Sequence, residues 1–138
     1  MGMTYERFKK LAHGLDFDEK SDEYLMVIEE LEKLYENAFE IVYFYPKNVW
    51  NEKETELIFF LNDGYLTVKK EKENYQYEQF RCKVVSKSLV KDYYEYNEQQ
   101  LTIKFDNGKE FFFSSTEDTN KHWVSKYSKS IIDLYKAI

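Results

Sequence analysis

Residues 101–114 read LTIKFDNGKEFFFS and contain the clearest β-hairpin signal in this chain of 138 residues. Asn107-Gly108 lies between two apolar stretches, and this dipeptide favours the tight turn that joins antiparallel strands. Apolar and polar residues alternate before the turn, which is typical of a strand with one face in water. The stretch therefore predicts strands at 101–106 and 109–114, and an antiparallel sheet as the basis of the fold.

Further strands are predicted upstream of this hairpin. Asp63-Gly64 is a turn signal of type I′, because both residues tolerate positive φ. The stretch that ends at Pro46 is rich in β-branched and aromatic residues, which favours a strand. Together these patterns predict seven strands, at 39–46, 55–61, 65–71, 78–85, 89–96, 101–106 and 109–114, with a turn near 86–88.

Helices are predicted at both ends of the chain. The first covers about 5–13, with Thr4 as its N-cap and Gly14 just after its end. The second follows Ser21, a good N-cap, and carries one apolar stripe. Ser115 precedes acidic residues as a helix N-cap does, so a third helix is predicted over 116–138.

This order of elements predicts an α+β fold with two N-terminal helices, about seven antiparallel strands in a strongly bent sheet or barrel, and a long C-terminal helix. We expect one domain, made of an acidic helical pair (1–37), the strands (38–115) and a capping helix (116–138). Aromatic residues make up 19% of the chain, and consecutive apolar residues such as Phe59 and Phe60 point to opposite faces of a strand. The sheet therefore needs a cover on both faces, which the two sets of helices can supply.

The C-terminal region resembles a known fold. Residues 109–115 (KEFFFSS), followed by an acidic stretch and His122-Trp123-Val124, resemble the last strand and capping helix of the pleckstrin-homology-like (PH-like) fold. The element order over about 39–138 is similar too, and the resemblance implies a PH-like barrel with Trp123 as its plug. Phosphoinositide-binding members carry a Lys/Arg-x-Arg pattern in the first loop. Residues 47–54 hold no Arg, so we expect no phosphoinositide binding.

Two further resemblances concern fold and source. Opening helices before a curved antiparallel sheet resemble the NTF2-like folds, which often enclose a pocket, although the long C-terminal helix disfavours that order. The lysine-rich, arginine-poor composition resembles that of small uncharacterised proteins from low-GC bacteria and their phages. An NTF2-like pocket protein, either enzymatic or binding a small ligand, therefore remains an alternative.

Charge and hydropathy limit the partners and the location. The net charge is −6, and all of it arises from residues 1–40, since the rest of the chain holds equal numbers of acidic and basic residues. An acidic chain has no diffuse attraction to phosphate, so we expect no nucleic-acid binding. No apolar run has the length of a membrane helix and no signal peptide is present, so we expect a cytoplasmic protein without a membrane span.

The residues that most often carry chemistry are sparse. His13 fits a role at the end of the first helix, and His122 lies near Trp123, where its side chain could equally face solvent. Cys82 alternates with two apolar residues, which predicts a buried, inert thiol. The acidic stretch at 16–23 lacks the spacing of a calcium loop. We therefore expect no metal site and no cofactor, and the sequence favours a protein that is not an enzyme.

We predict a small interaction module that binds a protein or peptide, or a second copy of itself. An acidic inhibitor or immunity-type protein, which would cover a basic partner with its N-terminal segment, is a further alternative. Charged and aromatic residues that exceed the needs of the core are the candidates for the interaction surface: Glu29, Glu30, Glu32, Tyr94, Tyr96 and Phe112. Trp123 is predicted to have a structural role.

Overall fold

The α+β fold is confirmed in a computed structural model, which describes residues 3–35, 40–94 and 98–138. The helices are α1 (Tyr5–His13), α2 (Ser21–Tyr35) and α3 (Val124–Ala137), with a short 3₁₀ helix at Asp18–Lys20. The strands are β1 (Ile41–Lys47), β2 (Glu56–Leu61), β3 (Gly64–Glu71), β4 (Asn74–Arg81), β5 (Val84–Lys91), β6 (Gln99–Phe105) and β7 (Glu110–Ser114). None of the described helices is long and apolar enough to cross a membrane.

The strands form two antiparallel sheets. The first sheet has the order β1-β2-β3-β4, and the second has the order β5-β6-β7. The chain passes from β4 into β5 through residues 82 and 83, where the amide of Cys82 donates to the carbonyl of Asp63. No ladder joins the two sheets among the described strands, so they do not close into a barrel.

The first sheet has apolar side chains on both faces, as expected from the sequence. Leu57 and Phe59 belong to the core beneath α1 and α2, whereas Ile58 and Phe60 belong to the core beneath the second sheet and α3. All four side chains are at most 1% exposed. Successive strand residues alternate between faces, so one strand supplies both cores. The molecule therefore has three layers. The helical pair covers one face of the first sheet, and the second sheet together with α3 covers the other face.

The helical pair is held to the first sheet by aromatic contacts. Phe8 of α1 packs on Tyr24 of α2 and on Phe44 of β1, with ring centroids 5.3 and 5.5 Å apart. Thr4 caps α1 as predicted, since its Oγ1 accepts a hydrogen bond from the amide of Arg7. Ser21 instead is the first residue of α2, and its Oγ accepts from the amide of Phe17, so it stabilises the connection before the helix.

The predicted bounds of the central strands are wrong. β4 begins at Asn74 rather than at 78, because Lys72 has a positive φ of 59° and turns the chain straight from β3 into β4. The turn predicted near 86–88 lies within β5, whose residues there pair with β6. Asp63 does not have positive φ, so its turn is not of type I′.

The predicted start of the C-terminal helix is also wrong. α3 begins at Val124, and residues 115–123 form turns before it. Asp118, which was predicted to lie in the first helical turn, is instead 2% exposed and accepts a hydrogen bond from the amide of Ser114 at the end of β7. Trp123 directly precedes α3 and stacks on Trp50 with ring centroids 4.4 Å apart, so it joins two loops rather than plugging a barrel.

Candidate functional site

β4 is one of the two edge strands of the first sheet. β4 pairs with β3 along all eight of its residues, and no described strand pairs with its other edge. Tyr75 and Tyr77 are half-buried against the core under the helices, while their strand neighbours Gln76 and Glu78 are exposed. The unpaired edge of a strand offers backbone donors and acceptors to another chain.

A groove runs between α2 and β4, and we call it the α2–β4 groove. It has a volume of about 480 Å³. Met26 and Glu30 of α2 form one wall, Tyr75 and Tyr77 of β4 form the other, and Glu73 lies at the turn between β3 and β4. Met26 is 69% exposed, so the helical wall offers apolar surface beside its carboxylates. The groove thus combines an open strand edge with aromatic, apolar and acidic side chains.

A charged network links the two walls of the groove. The hydroxyl of Tyr75 donates to Glu23 Oε1 at 2.9 Å, and Lys70 Nζ lies 2.6 Å from the same oxygen. Burial raises the pKa of the Glu23 carboxyl, but the bonds from Lys70 and Tyr75 outweigh it, so the net shift is downward. The network ties α2 to the β3–β4 hairpin, and the position of the groove walls therefore depends on it.

Glu23 should make the stability of the fold depend on pH. Its pKa is lowered by folding, so its contribution is complete above its ordinary pKa of 4.5 and is lost as the pH falls through its folded value. We expect Glu23→Gln to lose on the order of 1 kcal/mol of unfolding free energy at pH 7, a small value because the side chain is partly exposed. Urea unfolding from pH 7 to pH 3 measures the difference, which should shrink as the pH falls. Glu32→Gln on the same helix is the control, and an equal loss in both variants contradicts the role of Glu23.

The three predicted acidic residues lie on the exposed side of α2. Glu30 lines the α2–β4 groove, where burial and, to a smaller extent, the charge of Glu30 raise the pKa of Tyr77 to about 12. Glu29 pairs with Lys33 at 3.4 Å, and Glu32 is exposed. Of the three, Glu30 has the placement that allows it to contact a chain bound in the groove.

The predicted aromatic residues lie in a different layer. Phe112 is 48% exposed on the second sheet, where it pairs with Thr102, and Tyr94 is exposed just after β5. Tyr96 lies outside the described residues. Because the first sheet separates the helical pair from the second sheet, the structure does not bring the acidic and aromatic candidates together.

The other candidate side chains are isolated from one another. His13 is exposed in the last turn of α1, and His122 is exposed before α3. Cys82 lies between β4 and β5 rather than within one strand, and burial raises the pKa of its thiol. Within the described ranges, no three His, Cys, Asp or Glu side chains come together as a metal site requires.

Tyr75, Tyr77 and Glu73 were not among the predicted site residues, because the fourth strand was predicted to begin only at 78. A local signal for them exists, since tyrosines alternate with polar residues in NYQYEQF at 74–80. That pattern predicts a strand with one aromatic face. It does not indicate that the strand lies at an edge, because edge position depends on the other strands.

The chain belongs to a known protein family. A family model described as a protein of unknown function (DUF3908) matches residues 7–129, so the chain belongs to that family. The match includes α2, the whole of β4 and most of the described strands and helices. No curated protein and no solved structure matches the chain.

Proposed function

We propose that this member of the DUF3908 family is a non-enzymatic protein-binding module of the cytoplasm that takes a basic, extended segment of a partner into the α2–β4 groove. The observation that carries the proposal is the open edge of β4 beside a groove with acidic residues on its rim. The proposal retains the central idea of an acidic inhibitor, which also covers a basic partner.

Backbone pairing supplies the first part of the recognition. A partner segment in extended conformation adds to a free strand edge through main-chain hydrogen bonds. Alternate side chains of that segment then point into the groove, because strand residues alternate between faces. There they meet the rings of Tyr75 and Tyr77 and the exposed side chain of Met26. This arrangement favours a segment in which apolar residues recur at every second position.

Charge supplies the second part. Within the groove Glu23 and Lys70 neutralise each other at 2.6 Å, which leaves Glu30 and Glu73 against Lys72. Glu29 and Glu32 add acidic surface on the same helix. Complementary charge speeds encounter and excludes partners of like charge. The groove therefore favours lysine or arginine at the positions that reach its rim.

The arrangement of the sheets supports a binding role by analogy. A four-stranded sheet, a three-stranded sheet and a C-terminal helix follow one another as in the PH-like fold, which serves mainly as a scaffold for binding. The space between the sheets is filled by Tyr45, Phe60, Phe113 and Ile131, each at most 1% exposed. That filled interior does not favour the NTF2-like pocket alternative.

Peptide selection tests the proposal. A library of random dodecapeptides is selected against the full chain, and the Kd of a selected, labelled peptide is measured by fluorescence anisotropy. We expect peptides with basic residues among alternating apolar ones, and binding that weakens between about 50 and 500 mM NaCl. Glu30→Lys and Glu73→Lys should each raise the Kd at least about five-fold, because each places a like charge beside the peptide.

Matched variants separate local from general charge effects. Glu110→Lys changes the net charge equally but lies on β7 in the other layer, so it should leave the Kd within about two-fold. Phe112→Ser tests the second predicted surface and should also have little effect. Amide hydrogen exchange should slow in β4 when the peptide binds. Selection of peptides that protect the second sheet instead, or of none at all, contradicts the proposal.

A further inference from the structure

A second cavity lies between the first turns of α1 and α3, and it shares no lining residue with the α2–β4 groove. Its volume is about 340 Å³. Met3, Pro46, Trp123 and Tyr127 supply apolar surface to its wall. A mostly apolar cavity of this volume is in the range that binds small organic molecules.

The charged residues that line this cavity are both cationic. Arg7 and Lys126 line it, and no carboxylate of a described residue does, although the chain as a whole has a net charge of −6. Neither side chain forms an ion pair with a described residue. Glu6, the acidic residue in the first turn of α1, pairs with Lys9 at 2.9 Å. The two cations are thus available to an anion in the cavity.

Both cations occupy positions that the helices themselves disfavour. Arg7 lies in the first turn of α1 and Lys126 in the first turn of α3, where the partial charge of the helix dipole is positive. The first turn of α3 contains no acidic residue to offset it. The N-termini of α1 and α3 and the side chains of Arg7 and Lys126 therefore all contribute positive potential at the cavity. A bound anion would reduce the repulsion among them.

Three other polar groups of the wall are engaged elsewhere. The hydroxyl of Tyr127 donates to the carbonyl of Pro46, and the Ser130 carbonyl accepts from Tyr43. Thr4 Oγ1 accepts from the amide of Arg7 in the helix cap. The charged groups available for an anion in the cavity are thus the guanidinium of Arg7 and the ammonium group of Lys126.

The Trp123 ring contacts a second ring and the ammonium group of Lys126. Trp50 stacks on one side of the Trp123 ring with an interplanar angle of 13°. Lys126 Nζ lies 4.5 Å from the centroid of the same ring. This contact holds the ammonium group at the cavity, and a held group loses less entropy when a ligand binds.

We propose that this cavity binds a small organic anion, with its carboxylate or phosphate between Arg7 and Lys126 and its apolar part against Met3, Pro46 and Trp123. The site is separate from the α2–β4 groove, so neither proposal depends on the other.

Binding of simple probes to the full chain tests this proposal. Hexanoate and phenyl phosphate are titrated into isotope-labelled protein, with hexanamide and inorganic phosphate as partial probes. We expect shifts of the Trp123 indole signal and a Kd of about 1 mM or tighter for at least one organic anion. Hexanamide should bind at least about five-fold more weakly than hexanoate because it lacks the charge. Inorganic phosphate should bind at least about five-fold more weakly than phenyl phosphate because it lacks the apolar part.

Variants of exposed residues locate the site. Arg7→Gln and Lys126→Gln should each raise the Kd at least about five-fold. Lys10→Gln on α1 and Lys129→Gln on α3 remove equal charges outside the cavity and should leave the Kd unchanged. Equal effects of all four variants, equal binding of hexanamide, or no shift of Trp123 with either organic anion would each overturn the proposal.

Discussion

Gly64→Ala is expected to lose about 4 kcal/mol of unfolding free energy, because no side chain fits at the start of β3. A Cβ atom at this position would lie 1.8 Å from the backbone carbonyl oxygen of Phe80. Gly64 also has a φ of +152°, a conformation that residues with a side chain rarely adopt. The close approach belongs to the β3–β4 ladder, so relief of the clash requires those strands to separate.

Gly108→Ala is the matched control in the other hairpin. Gly108 has a φ of +90°, but a Cβ there meets no heavy atom within 4 Å. The substitution therefore costs backbone strain alone, about 1 to 2 kcal/mol. Urea unfolding followed by circular dichroism measures both variants. Similar losses at the two glycines would contradict the close approach of β4 to Gly64.

Asp118→Ala is expected to lose about 3 kcal/mol of unfolding free energy, because it leaves buried donors without an acceptor. Asp118 Oδ2 accepts from the Tyr45 hydroxyl at 2.7 Å and from the Ser114 amide at 2.9 Å. Lys47 Nζ lies 3.7 Å from Oδ1. Burial raises the pKa of the Asp118 carboxyl, even though all three of these groups favour its charged form.

Asp118→Asn separates the hydrogen bonds from the charge. Its amide oxygen can replace Oδ2 and keep both donors satisfied, while the attraction to Lys47 is lost. We expect a loss of about 1 kcal/mol for this variant. Glu117→Ala removes an exposed ion pair with Lys53 and should have the smallest effect of the three variants. Urea unfolding orders the three variants, and an equal cost for alanine and asparagine at 118 would show that the buried bonds contribute nothing.

The identity of most elements could be predicted from the sequence. The Asn107-Gly108 hairpin, the two N-terminal helices and the two-faced second strand depend on patterns within a few residues, and the structure contains all of them. The two cores follow from the same alternation, since Phe59 and Phe60 must face opposite sides.

The errors arise where a local pattern has two readings. Acidic residues after Ser115 resemble the start of a helix. Asp118 nevertheless points inward, because it accepts hydrogen bonds from Tyr45, which is distant in sequence, and from Ser114 at the end of β7. The start of β4 depends on Lys72, which adopts a positive φ although nothing in its side chain requires it. Such choices are decided by contacts that the local sequence does not contain.

Local sequence patterns are enough to predict the α+β class, the acidic N-terminal segment and the need for a cover on each face of the sheet, because hydrophobic spacing and charge are local properties. Tertiary packing places β4 at an edge that no described strand covers, and it brings Glu30 and Glu73 to one groove and Arg7 and Lys126 to one cavity. These pairs are separated by tens of residues or more in the chain. Their proximity results from the packing of whole layers, which minimises exposed apolar surface over the entire molecule.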